Sequence, residues 1–316
     1  MNTRTRWHGV REAFINVFCF YLLMKNSGQF QKGSIPWNKN PVLKSCLACE
    51  KTFYVSQSRN NDGRGKFCCF YCKKNYKYKL AQEFVLNKGL AELIGIIIGD
   101  GCISKVYDRD DYRIQISGNP IEDKEYYDSY LPSLISSFLG IKTKPYLGQN
   151  GAYIIQFQSE PFRIFLHKLG IISPKAKIVS IPQIIKKDQD LLLACIKGIA
   201  DSDFTLIFKA RKKGGLHYYP RICAQFASKN LVQDLEQELR ALGFTLNCKY
   251  DYLRIDPRGF NYITNFINLD GPHNLERWFT LIGFSNSRIL TRYYVWKKYG
   301  YLEPKSTIVE RKRLLG

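Results

Sequence analysis

Apolar residues in this chain follow two rhythms, and the alternation between them repeats. The first helical stretch runs through Leu93-Ile94-Gly95-Ile96-Ile97-Ile98-Gly99 and ends at Asp100. Period-two alternation over Tyr112–Ser117 predicts a strand. A helix is expected over Tyr126–Leu139, stopped by Gly140, then strands near Lys142–Leu147 and Ala152–Gln158, then a helix over Pro161–Leu169 stopped by Gly170. The order then recurs. A helix over Leu191–Ser202 leads into strands at Phe204–Lys209 and Arg221–Phe226, a helix over Leu231–Leu242 stopped by Gly243, and strands near Thr245–Tyr250 and Tyr252–Ile255. A helix over Leu275–Ile282 ends at Gly283, and a basic helix over Ser287–Tyr299 follows.

The register of the repeat can be checked at its turns. Leu169-Gly170-Ile171 and Ile282-Gly283-Phe284 are equivalent, and Lys175 and Arg288 each stand five residues after their glycine. The chain therefore predicts an α+β fold built from two αββαββα half-domains, over residues 90–185 and 186–304, with a basic tail at 305–316. Mixed strand and helix order argues against a dinucleotide-binding fold, and no Gly-x-Gly-x-x-Gly turn is present.

Small residues recur every fourth position in the first helix of each half: Gly95 and Gly99 in one, Ala194, Gly198 and Ser202 in the other. A glycine inside a helix costs about 1 kcal/mol relative to alanine. Close approach of two helix backbones supplies a reason for it. Their C-terminal ends then carry Asp100 and Asp203 side by side, each at the negative end of a helix dipole and each repelling the other. A divalent cation relieves both problems. Oxygen ligands with open water positions favour Mg²⁺, with Mn²⁺ or Ca²⁺ as substitutes, and a cation so held next to a nucleic-acid backbone can assist phosphodiester hydrolysis.

Charge sharpens the picture. The formal net charge is +21, which implies a polyanionic partner, nucleic acid before a membrane surface. Residues 1–90 hold 16 Lys+Arg against 4 Asp+Glu, so +12 of that charge lies at the front of the chain. No apolar run reaches 18 residues, so no membrane span is expected. Ala13–Met24 resembles a short signal core but no small-residue cleavage site follows it, and translation from Met24 rather than Met1 is the favoured reading. Of 10 cysteines, five cluster within residues 46–72 and the rest stand singly, which suits reduced thiols in a cytoplasmic protein with one metal site.

That site begins with Cys46-x-x-Cys49 and ends with Lys66-Phe67-Cys68-Cys69-Phe70-Tyr71-Cys72. Two thiolate pairs about 20 residues apart suit tetrahedral Zn²⁺, with Cys72 partnered by Cys68 or Cys69. Residues 46–80 are read as a zinc module and residues 1–45 as a basic extension, extended from about residue 25. Arg59, Arg64, Lys66, Lys73, Lys74, Lys77 and Lys79, with Tyr71, Tyr76 and Tyr78 among them, give the module the composition of a surface that contacts a phosphate backbone.

The strands offer base contacts. Arg113 and Gln115 share a face opposite Ile114 and Ile116; Arg221 and Gln225 share one opposite Ile222 and Phe226; Gln156 and Gln158 do the same in the third strand. Arginine pairs bidentately with guanine and glutamine with adenine, so a twisted antiparallel sheet in a major groove could read sequence through these residues. The two halves differ, so the preferred site should be asymmetric.

The paired segments ending in Asp100 and Asp203 resemble the two motifs of single-chain LAGLIDADG homing endonucleases. The resemblance spans about 210 residues from Leu93 to near Pro304. It extends to Ile116-Ser117-Gly118 before an acidic, tyrosine-rich helix, to Lys175–Pro182, and to Ile282-Gly283-Phe284-Ser285-Asn286. It implies saddle-like sheets, catalytic metal binding by Asp100 and Asp203, and a basic residue near each scissile phosphate, for which Lys175 or Lys177 and Arg288 are the candidates. It further implies a monomer acting on double-stranded DNA, with no small-molecule substrate, that leaves short 3′ overhangs. Two positions depart from the family: Ile98, where an aspartate is frequent, and Phe204, where glycine is usual. The module resembles treble-clef-like knuckles with a Phe-Cys-Ser-x-x-Cys pattern, which implies Cys46, Cys49, Cys68 and Cys72 as ligands with Cys69 in the serine place. The segment Phe30–Lys39 resembles a short nuclease-associated motif and makes Lys39, with Arg64 and Lys66, a candidate DNA contact. The alternative on the same scaffold is a nucleic-acid binder without cleavage, an RNA splicing maturase or a DNA-binding regulator, and Phe204 and the heavily basic, tyrosine-rich arm are the features that favour it.

Overall fold

The computed structural model describes residues 41–82, 84–105, 112–256 and 258–316, without the side chains of 77–79 and 81–82. Lys39 and the rest of the basic arm before residue 41 lie outside these residues, as do the side chains of Lys77, Tyr78 and Lys79. The chain separates into two compact units, one ending at Tyr76 and the other running Lys77–Gly316.

In the small unit, β1 (Val42–Ser45) and β2 (Thr52–Val55) form an antiparallel hairpin, followed by α1 (Gln57–Asn61) and the start of α2 (Phe70–Gln82). Residues 42–45, expected as the end of an extended arm, are thus a paired strand. Cys46–Glu50 makes the turn between the strands, closed by Cys46 N–H to Lys51 O at 2.9 Å and Glu50 N–H to Cys46 O at 2.8 Å. Two short strands and a short helix among its described residues offer little apolar surface to bury, and a metal is the usual remedy.

The large unit contains the repeat in two halves of the same element order. The first half contains α3 (Lys88–Gly99), β3 (Gly101–Lys105), β4 (Tyr112–Gly118), a π-helical turn (Tyr126–Tyr130) continuing into α4 (Leu131–Leu139), β5 (Tyr146–Leu147), β6 (Tyr153–Phe157) and α5 (Glu160–Lys168). After a short α6 (Gln183–Lys186), the second half contains α7 (Gln189–Asp203), β7 (Thr205–Lys209), β8 (Tyr219–Phe226), α8 (Lys229–Ala241), β9 (Asn247–Ile255), β10 (Asn261–Asp270) and α9 (Pro272–Leu281). Each half folds one antiparallel four-stranded sheet with the same strand order, β3-β4-β6-β5 and β7-β8-β10-β9. Helices α10 (Ser287–Tyr299) and α11 (Ile308–Leu315) close the chain.

Several elements differ from the expectation, each for a physical reason. Pro132 lacks an N–H and its ring crowds the carbonyl four residues back, and the helix preceding it opens into a π turn. The segment 142–147 pairs only at Tyr146 and Leu147. The two strands expected at 245–250 and 252–255 are a single strand, bent where Asp251 takes φ 52°. Its partner β10 was not expected; it pairs along its length with β9 and, over its second half, with β8. The tail is a helix: Thr307 and Glu310 form a capping box, and Arg311 is fully buried, paired with Glu122 and donating to Thr291 Oγ1 at 3.0 Å.

One hydrophobic core runs through both halves, and helices α3 and α7 are its centre. A Cβ added to Gly95 would lie 2.1 Å from Cys195 O, and one on Gly198 would lie 2.1 Å from Glu92 O. These are backbone atoms of the facing helix, so the contact admits glycine only.

Gly95→Ala or Gly198→Ala is therefore expected to cost at least about 3 kcal/mol, the upper range for overpacking a core. Gly283→Ala, in a turn at φ 72° with open space around it, should cost only about 1–2 kcal/mol for its left-handed backbone. Chemical denaturation of the three variants measures this, and equal losses would contradict the interlocked-helix account.

Candidate active site

Asp100 is the residue that ends α3, and Asp203 is the last residue of α7. The helix contact that requires glycine also brings these ends together: a Cβ on Gly99 would meet Ser202 Oγ at 2.0 Å and Asp203 Oδ2 at 2.6 Å. Both carboxyls are pushed up from the ordinary 3.8. Asp100 reaches about 8, through burial first and then the charges of Asp203 and Asp123. Asp203 reaches about 6, through burial, with Lys175 and Arg288 pulling it back.

Each helix end is closed by a cation from the equivalent place in the repeat. Lys175 Nζ donates to Ile98 O at 2.5 Å and Gly99 O at 2.8 Å, the two carbonyls before Asp100. Arg288 Nη2 donates to Asp201 O at 3.3 Å and Ser202 O at 3.2 Å, the two carbonyls before Asp203. A cation at a helix C-terminus offsets the dipole that opposes the acids. Lys177 is exposed, and the bonds to the helix end come from Lys175.

A supporting layer went unrecognised in the sequence. Asp123, 7 % exposed, accepts from Asn119 N–H at 2.8 Å, Asn286 Nδ2 at 2.8 Å and Arg288 Nε at 2.9 Å. Asp201, 1 % exposed, accepts from the backbone N–H groups of Ser285 at 2.9 Å and Asn286 at 3.0 Å. Burial nonetheless pushes Asp201 up to about 7. Together they fasten the loop before α10, and hence Arg288, to the end of α7. Tyr127 stands on Gly118, where any Cβ would collide with its ring at 2.6 Å, and its hydroxyl is buried without a partner. The motif residues Ile116-Ser117-Gly118 and Ser285-Asn286 were the available signal, since they implied something packed against them.

Phe204 does not disturb the turn. Its helix ends one residue later than α3 does, and its fully buried ring packs on Trp278 at 5.4 Å and Phe226 at 5.9 Å between centroids. At the matching Gly101 a Cβ would strike Ile97 O at 2.5 Å, so glycine is required in one half and not in the other.

The polar strand faces turn away from the core as the alternation predicts. In β4, Ile114 and Ile116 are buried while Arg113 and Gln115 are half-buried. Gln115 lies opposite Gln156 on β6, and Tyr146 donates to Gln156 Oε1 at 3.1 Å. Gln158 lies one residue beyond the end of β6, not within it, because the chain there turns toward α5. In β8, Ile222 and Phe226 are buried, Gln225 is exposed and Arg221 is half-buried. The outward face of the second sheet forms a groove whose lining includes Arg221, Gln225, Lys249 and Arg254, with Asp203 among its walls.

In the small unit the sulfur atoms of Cys46, Cys49, Cys68 and Cys72 all lie within 4.8 Å of one another, a set able to hold a metal ion. Cys49 and Cys68 are 3.6 Å apart, and Cys68 and Cys72 3.5 Å. Four sulfurs at about 2.3 Å from a tetrahedral centre would stand nearly 4 Å apart, so the spacing fits. Cys69 Sγ instead accepts the Cys72 N–H at 3.4 Å. Arg64 and Lys66 are exposed beside this cluster, Arg64 paired with Asp62, in a pocket that also includes Arg59, Phe70 and Lys73.

Because Asp100 and Asp203 ionise at higher pH in the folded protein than at the unfolded 3.8, they favour folding at low pH, and that contribution is lost as pH rises through about 6 and about 8. Asp201 acts in the same direction. In buffer freed of divalent cations, melting temperature should fall between about pH 4 and about pH 8. Asp100→Asn should flatten that fall, and Mg²⁺ should stabilise the wild type at the high end far more than at the low end. Equal stabilisation at both ends would contradict the shared-acid site.

No protein-family model matches this chain, and no curated protein matches it. Among solved structures it is similar to mesophilic variants of the homing endonuclease I-DmoI, at 20 % identity and TM-score 0.42 over 62 % of this chain and 96 % of that one. It is also similar to the homing endonuclease I-WcaI bound to its DNA recognition sequence, at 16 % and 0.40 over 72 % and 92 %. A third likeness is to I-SmaMI bound to uncleaved DNA in the presence of calcium ions, at 14 % and 0.41 over 68 % and 91 %.

Proposed function

We propose that this protein is a divalent-metal-dependent endonuclease of the LAGLIDADG kind, hydrolysing phosphodiesters on both strands of a long, asymmetric double-stranded DNA site. The observation that carries the reading is the interlocked helix pair, which spends two interior glycines to bring two repelling carboxylates together, each backed by a cation at the same register. A structural role alone would be served by any capping residue. Asp100 and Asp203 would hold Mg²⁺ or Mn²⁺, which when bound supplies charge neutralisation at the phosphate and an acidified water. Lys175 and Arg288 fix the two helix ends and add positive charge beside the scissile phosphates. Both acids come from one chain, so a monomer completes the site.

The outward faces of the two sheets, with Arg113, Gln115, Gln156, Gln158, Arg221 and Gln225, would lie in the major groove. The small unit would hold Zn²⁺ through Cys46, Cys49, Cys68 and Cys72. With Lys39, Arg64 and Lys66 it would contact the phosphate backbone. Loss of bound zinc in Cys68→Ser but not in Cys69→Ser, by metal analysis, tests the ligand set.

The central test is cleavage selection from a randomised duplex library seeded with intron-insertion sequences, with Mg²⁺ or in buffer freed of divalent cations. Site-specific double-strand cuts are expected with Mg²⁺ only. Asp100→Asn and Asp203→Asn should each lower the rate by at least about 10³-fold while binding persists, the scale seen when one catalytic electrostatic group is removed. Specific binding by the wild type with no cutting would overturn the enzyme reading and favour the maturase or regulator.

A further inference from the structure

An acid stands where a DNA-binding face should have none. Asp270, the last residue of β10, lies in the groove of the second sheet and accepts a forked pair of bonds from Arg221, Nε to Oδ1 and Nη2 to Oδ2, both at 2.7 Å. Lys209 Nζ adds a third bond to Oδ1 at 3.1 Å. Arg221 and Asp270 are direct partners across the β8–β10 ladder, so the fork is built into the strand register.

A guanidinium has two edges suited to a bidentate acceptor. The Nε/Nη2 edge of Arg221 is engaged by Asp270, and Arg221 lines the groove, so its Nη1/Nη2 edge is the one left for a second acceptor. That edge matches the O6 and N7 acceptors of guanine. A free arginine loses rotamer entropy when it binds, and a fork holding it in place removes much of that cost beforehand.

The equivalent position in the first half is built differently. Arg113 lies opposite Ser104, four residues after Asp100, as Arg221 lies opposite Ile207, four residues after Asp203. Among the described residues, Arg113 donates one bond, Nε to Ser104 Oγ, at 3.2 Å. A neutral hydroxyl on one nitrogen orients a guanidinium less firmly than a carboxylate on two.

We propose that Asp270 is a specificity-positioning residue that locks Arg221 to read a guanine in the half-site under the second sheet, while Arg113 at the matching place discriminates less. This rests on the sheet faces binding duplex DNA as proposed above. The carboxylate lowers overall affinity by its charge and raises selectivity by its geometry. The asymmetry of the site is thus set by the partners of two equivalent arginines as well as by differing readers.

The test is base preference at every position of the selected duplex, measured by binding of the full chain without Mg²⁺, for wild type, Arg221→Ala, Asp270→Asn and Lys209→Met. The expected result is one position with a strong guanine preference that Arg221→Ala abolishes. Asp270→Asn should weaken it at least about fivefold, the lower end for one bidentate contact. Preferences elsewhere should stay intact and total affinity should be equal or higher. Lys209→Met, which leaves the fork in place, should keep most of the preference. A guanine preference unchanged in Asp270→Asn, or one eroded equally at all positions, would overturn the positioning role while leaving DNA binding standing. Absence of any duplex binding by the wild type would overturn both readings.

Discussion

The contact on which this structure depends is the backbone-to-backbone approach of the first helices of its two halves. At Gly95 and Gly198 each helix leaves no room for a Cβ against the carbonyls of the other. Everything with chemical interest follows from that closeness. It sets the helix ends side by side, so that the charge of Asp203 raises the affinity of Asp100 for a proton. It also joins the two cores into one, so the sheets flanking the pair are held by a common apolar body.

An arrangement of this kind is electrostatically unfavourable by itself, and the surrounding residues show how the fold manages it. Lys175 and Arg288 occupy matching places after Gly170 and Gly283 and close the last carbonyls of their own half's helix. Asp123, Asp201 and Asn286 then fix Arg288 from behind, and the last helix adds Arg311, buried against Glu122 and Thr291. The two halves are not equal in this respect. The second carries the denser polar support among the described residues, and its groove carries the Arg221–Asp270–Lys209 cluster. A duplicated scaffold has been made asymmetric by changing partners around positions whose own residues stayed alike.

Much of this could be read from the residues in order. The repeat, the small-residue stripe and the placement of Asp100 and Asp203 were visible because they depend on local spacing. So was the alternation of Arg113 and Gln115 against Ile114 and Ile116, because a strand face has period two. What stayed hidden depends on distant partners. Strand β10 begins Asn261-Tyr-Ile-Thr-Asn, with no clean alternation, and is exposed at one end and buried at the other as it passes from hairpin to sheet. The short β3 follows a helix with no linker, so its five residues give no period of their own. Arg311 reads as one more base in a basic tail, and only the fold shows it buried. Arg221 was visible as an outward-facing arginine of its strand, but Asp270, 49 residues on, gave no sign of being its partner.

The proposed function requires a cation between the two helix ends. The direct measurement is anomalous diffraction from crystals of the full chain soaked in Mn²⁺ at neutral pH. The account predicts an anomalous peak within ligand distance of both Asp100 and Asp203, lost in Asp203→Asn. Mn²⁺ bound only at other acids, with the Asp100–Asp203 pair bare, would contradict it.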